Sequence, residues 1–230
     1  MKATRTLVLV LSALPFLGCS QVSPGDLLPE EKEIINRSGD VMYVPTIWDT
    51  EDSLLLRTGC IDFSEKALAS PEIRTLAGKM LSTVQSPQQD GVGLAATQVG
   101  LVHRIFVLQR FDKEGEPFEV YLNGHIEEYL GEISYGPEGC LSVPPYRGNV
   151  PRYEGVVVSY RDFGTLEHRR DTVYGYTAII FQHENDHLDG TIYRDKAKDV
   201  TIDESWEKER LPFSKKGLYE RPSWLKYPEK

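Results

Sequence analysis

"FQHENDHLDG", residues 181–190, sets two histidines four positions apart with a glutamate beside the first. On an α-helix, positions i and i+4 lie one above the other, so His183 and His187 can grip one ion between them. Glu184 then stands where its carboxylate can take a proton from water at that ion. Upstream, Tyr176 and Ile180 share the face of the two histidines, and Gly190 suits a left-handed stop, which predicts a helix from about Tyr176 to Leu188. The pattern is short, and satisfied surface or core histidines fit it as well. A catalytic divalent site takes three protein ligands and keeps one position open, so one ligand is still missing.

Around this helix the chain reads as α+β. Ser70 is placed to cap a helix and Pro71 suits its first turn, while Ile73, Leu76, Ala77, Met80, Leu81 and Val84 recur at helical spacing. Pro87 and Gly91 break that helix. "RIFVLQR" and "FEVYLNG" read as strands, and "NVPRYEGVVVSYRD" with "LEHRRDTVYG" as a hairpin turning at Asp162-Phe163-Gly164. Strands before and between helices, without βαβ alternation, predict mainly antiparallel sheets packed around the helix that carries HExxH. The domain is expected over 48–195, preceded by a linker or arm at 20–47 and followed by a charged tail at 196–230.

With 230 residues, 40% hydrophobic and 27% charged, the chain has the composition of an ordinary globular protein. A net charge of -9 without any basic block argues against a nucleic-acid partner. The start is different in character. Lys2 and Arg5 precede an apolar run from Leu7 to Leu17, then Gly18-Cys19-Ser20, so residues 1–19 are similar to a bacterial lipoprotein signal. That places the protein in the cell envelope through an acylated Cys19; an uncleaved extension on a cytoplasmic protein is the alternative. Phe16 and Leu17 depart from the usual residues of such a signal.

Several residues compete for the third ligand. A metzincin pattern continues as far as Gly190 but requires histidine at 193, where Tyr193 stands. Glu204 or Glu207 suits a thermolysin-like site only if a second helix follows, and the tail has no clear one. Cys140, between Gly139 and Leu141 in "GPEGCLSVP", offers a thiolate, a strong ligand for zinc or ferrous iron. A lone cysteine is more often a small buried hydrophobe.

"GVGLAATQVG" (91–100), "EGCLSVP" (138–144) and "QHENDHLDG" (182–190), taken together and in this order, resemble the three signature stretches of the peptide deformylases. The likeness covers roughly residues 50–195. It implies Cys140, His183 and His187 as ligands of one divalent metal, foremost Fe2+, with Zn2+, Ni2+ or Co2+ as alternatives. It implies Glu184 as general acid and base, and Gln98 with the backbone N–H of Leu141 as oxyanion donors. Backbone groups at Val92, Gly93 and Gly139 would hold the peptide as an added strand, with Glu138 and Arg147 in support. Val92, Tyr176, Ile179 and Ile180 would line the side-chain pocket; Tyr176 departs from the aliphatic residue common there.

The activity so implied is hydrolysis by water of the N-formyl group from formylmethionyl peptides, releasing formate, by a protein expected to be a monomer. An HExxH metalloprotease or amidohydrolase, and a non-catalytic envelope lipoprotein of the same fold, are the other readings. His103, His125 and His168 have no such company and read as solvated or structural.

Overall fold

The computed structural model describes residues 23–204 and 222–227, so the signal-like stretch 1–19 lies outside the described residues. Among these residues, the element order is α1 (Pro29–Asn36), α2 (Thr50–Leu56), α3 (Glu65–Leu68), α4 (Pro71–Val84), β1 (Gly93–Ala95), β2 (Ile105–Gln109), β3 (Phe118–Gly139), β4 (Tyr146–Asp162), β5 (His168–Tyr174), α5 (Gly175–Leu188) and β6 (Lys198–Ile202). The helical stripe after Ser70 becomes α4, and Ile73, Leu76, Met80 and Val84 are buried along it. Ser70 is in the capping position, but its side chain makes no capping hydrogen bond; only Pro71 at the first turn follows the expectation.

Strands β1 to β5 pair in order, every pair antiparallel. Strand β4 carries two partners on one edge, β5 along residues 155–161 and β6 along 146–149. The β3–β4 ladder shifts register between Leu122 and His125, Ile126 and Glu128, and Leu130 and Ile133. Bulges bend the strand that carries them. Helix α5 packs against the sheet through Phe181, whose ring meets Phe106 edge-on at 5.6 Å and Tyr121 at 4.8 Å. Burying each such ring is worth about 1.5–3 kcal/mol. The β4–β5 turn lies where the sequence places it: Asp162 Oδ1 accepts from the N–H of Gly164 at 3.0 Å and of Thr165 at 2.8 Å. The α+β arrangement around an HExxH helix is therefore as expected.

Both flanks differ from their expected roles. The stretch expected as a linker or arm at 20–47 forms α1 and docks, with Ile34 and Ile35 in the core cluster. Its Glu31 is fully buried and accepts hydrogen bonds from the N–H groups of Leu28 and Val102, both at 2.9 Å. Charge in this stretch masks the few apolar positions that dock it. The sheet also extends past residue 195, because β6 adds to β4. Further on, Leu225 is buried and the Tyr227 hydroxyl donates to Asp52 Oδ1 at 2.6 Å. Arg37 lies over the Trp224 ring at 3.4 Å, so the two flanks meet each other.

Candidate active site

Three separate stretches converge at one end of a cleft of about 300 Å³. Helix α5 supplies His183 and His187, one turn apart. The turn between β3 and β4 supplies Cys140. A single 3-10 turn after β1, Ala96–Val99, supplies Gln98. The donor atoms of Cys140, His183 and His187 lie within 4.8 Å of one another, and Cys140 Sγ is 3.2 Å from His187 Nε2. One thiolate and two imidazoles suit zinc, ferrous iron and related divalent ions. The candidate donor set thus has its third member upstream, whereas Tyr193 packs in a small cluster with Val143, Val150 and Ile192, donating its hydroxyl proton to the Tyr146 carbonyl oxygen at 2.7 Å.

The ring of His183 is fixed from behind. Its Nδ1 sits 2.8 Å from Glu138 Oε2, which leaves Nε2 for an ion. Arg152, buried on β4, donates to Glu138 at 2.7 and 2.9 Å and to Asp186 at 2.7 Å. Lys196 donates to the other oxygen of Asp186 at 2.6 Å. Burial opposes charge on Glu138, but the Arg152 and His183 hydrogen bonds outweigh it and hold its pKa at about 2. For His183 burial likewise opposes charge, yet hydrogen bonds to Cys140 and Glu138 push its pKa well above the usual value. Burial, aided by the charge of His183, drives His187 the other way. The two rings differ because the Cys140 and Glu138 hydrogen bonds favour charge on His183, while burial and the charge of His183 oppose it on His187.

Glu184 is nearly buried, and its Oε2 has no hydrogen-bond partner among the described residues. Burial raises its pKa to about 7 against the opposing pull of His183, a value suited to taking and returning a proton near neutrality. Gly93 makes room for it: a Cβ there would collide with Glu184 Oε1 and lie 2.8 Å from its Cδ. Glycine at 93 is therefore a requirement of close approach. Gln98 is also buried. Its Oε1 accepts from the Ala95 N–H at 2.9 Å, which turns its amide nitrogen toward Ser142 Oγ at 3.3 Å and Cys140 Sγ at 3.5 Å. Backbone geometry thus aims a donor at the metal-ligand cluster.

Each residue expected at the site lines this cleft except His187, which lies directly behind it. Val92, Ile179, Ile180 and Tyr176 form its apolar side, with Tyr176 half exposed and its ring 5.2 Å from Phe111. Gly139, Leu141 and Arg147 line it as well. Arg152, Asp186, Lys196 and Ser142 escape the sequence reading. Asp186 stands inside the quoted helix stretch, but only the fold shows that Arg152 and Lys196 meet it. His103 and His125 are structural, as expected: their partners are Glu31 and Asp62, each at 2.8 Å.

Known proteins agree with this geometry. The sequence model described as polypeptide deformylase matches residues 45–202. A peptide deformylase of Leptospira biflexa is 34% identical over 155 residues, covering 64% of this chain and 85% of its own length. The actinonin-bound class I type b peptide deformylase of Acinetobacter baumannii superposes with a TM-score of 0.60 at 32% identity, over 69% of this chain and 99% of that one. The same Acinetobacter enzyme is known with Met-Ala-Ser bound, with a TM-score of 0.59 at 33% identity, over 68% of this chain and 98% of that one. From its matched sequence and its fold, the chain belongs to the polypeptide deformylase family, a family of metallohydrolases.

Proposed function

We propose that this chain removes the formyl group from N-formylmethionyl peptides with ferrous iron as its working metal, releasing formate and a free amino terminus. One observation carries the reading: a Cys140–His183–His187 donor set within 4.8 Å, with the buried carboxylate of Glu184 beside it, its Oε2 unpartnered among the described residues. A divalent ion held there supplies Lewis acidity toward the formyl oxygen and lowers the pKa of water. Everything else falls to the chain. The peptide lies extended against the rim of β1 beside Val92 and Gly93, with Gly139 opposite. The methionine side chain enters between Val92, Ile179, Ile180 and Tyr176. As water adds to the formyl carbon, negative charge grows on the formyl oxygen, where the Gln98 amide and the Leu141 N–H donate. Glu184 takes the proton from water and gives it to the departing amine as the C–N bond breaks. The Met-Ala-Ser-bound Acinetobacter relative supports a peptide in this cleft.

Formate release from formyl-Met-Ala-Ser tests the reading, using residues 20–230 purified without oxygen and loaded with ferrous iron, nickel or zinc. Turnover that disappears in Glu184→Ala is the expected result, with iron or nickel above zinc. A folded, metallated sample that yields none overturns it. We propose further that the mature protein is a monomer anchored to the cell envelope through acylated Cys19. That reading rests on the Leu7–Leu17 apolar run ahead of Gly18-Cys19. Mass spectrometry of the native amino terminus decides: a lipidated Cys19 supports it, and an intact Met1 in a soluble fraction refutes it.

A further inference from the structure

Strand β6 brings a carboxylate to the cleft that the catalytic steps do not use. Asp203, just after β6, lines the cleft, and its backbone N–H donates to the Pro145 carbonyl oxygen at 2.7 Å. Its side chain is paired with Nε of Arg147, the residue that faces Gly139 across the β3–β4 ladder. The two partners differ in exposure: 14% of the Asp203 side chain is open to solvent against 55% of that of Arg147. Asp203 is the fixed member and Arg147 the one being held. Arginine has five N–H donors in a rigid fork. Asp203 takes the one at Nε, and no hydrogen bond from either terminal nitrogen of Arg147 occurs among the described residues. A Cβ on Gly139 would lie 3.5 Å from Arg147 Cγ, so the arginine stem runs beside the bare Gly139 backbone that borders the metal ligand Cys140.

We propose that Asp203 is a positioning residue that aims the terminal N–H groups of Arg147 at a main-chain carbonyl of the peptide beyond the formylated residue. The proposal deepens the deformylase reading and rests on it. An unheld arginine loses side-chain entropy on every docking event, whereas one already clamped through Nε donates without that cost. The Asp203 carboxylate offsets the charge of Arg147, so a carbonyl is preferred over an acidic side chain.

The test compares formyl-Met-Ala-Ser, which has downstream carbonyls, with formylmethioninamide, which lacks them, on the iron-loaded chain. For Asp203→Ala, kcat/KM should fall about tenfold more on the tripeptide than on the amide, chiefly through KM, as expected for one lost charge-assisted hydrogen bond. Asp203→Glu should restore most of the difference. The double variant Arg147→Ala/Asp203→Ala should lose no more than Arg147→Ala alone, since Asp203 acts through the arginine. Equal losses on both substrates, a fall confined to kcat, or additive losses in the double variant would overturn the proposal. Preference for formyl-Met-Ala-Asp over formyl-Met-Ala-Ser would also overturn it, by showing that the arginine reads side-chain charge. Wild-type protein inactive on both substrates would instead sink the deformylase reading itself.

Discussion

Two histidines in this molecule, one partly buried at the cleft and one fully buried, have the same immediate neighbour and opposite uses. His183 and His103 each place Nδ1 2.8 Å from a glutamate carboxylate, Glu138 and Glu31 respectively. Behind Glu138 stands a charge, Arg152; around Glu31 stand neutral backbone N–H groups. In front of His183 lie the Cys140 sulfur, a second imidazole and the cleft. His103 stacks on Phe63 at 4.7 Å, and its Nε2 is buried with no hydrogen-bond partner among the described residues. A His–Glu pair is therefore not a site in itself. Access, and what the far nitrogen faces, decide.

The sharpest break between the two regions is to remove each ring. His183→Ala should abolish metal retention and formate release, by more than about 10⁴-fold, because the water-activating ion goes with it. His103→Ala should keep metal stoichiometry and kcat but lose about 1–3 kcal/mol in urea unfolding, the usual cost of removing one partner of a buried hydrogen bond. If His103→Ala also empties the metal site, the comparison is wrong. Next in size, Glu184→Gln should cost about 10²–10⁴ in kcat with metal content unchanged. Gln98→Ala should cost about 10²–10³, also in kcat, since its donor matters once charge has built up on the formyl oxygen. Glu138→Gln, measured by chelator competition, should weaken metal affinity about 10–100-fold.

The smallest effect belongs to a carboxylate far from both histidines. Asp112 is held at a pKa of about 2, chiefly by its hydrogen bond to Arg110. Its folded value lies below the unfolded one near 3.9, so its contribution is fully present above about pH 4 and disappears as pH falls toward 2. Asp112 is exposed, so solvent screening limits that contribution to about 1 kcal/mol. Asp112→Asn should flatten the acid limb of the stability curve by that amount and leave metal binding untouched.

His183, His187 and Glu184 were legible from their spacing on one helix, whereas Cys140 and Gln98 entered only through the resemblance of their stretches to the peptide deformylases. The hairpin and α4 were legible from turn residues and period. What stayed hidden depends on contacts between distant segments. Arg152 reads as one more polar residue on a strand, and its meaning comes only from Glu138 and Asp186. Residues 20–47 looked like a linker or arm because Glu31, buried as completely as Ile35, is the wrong type to suggest burial. Strand β6, "KDVTI", is exposed along its length and carries no alternation to betray it.

Gly93 has a consequence for drug resistance. Since any side chain there would strike the Glu184 carboxylate, mutation at 93 cannot exclude an inhibitor without disturbing the proton carrier itself. A compound whose grip depends on the bare backbone at 93 leaves the organism to seek escape elsewhere, at Tyr176 or along the exposed rim.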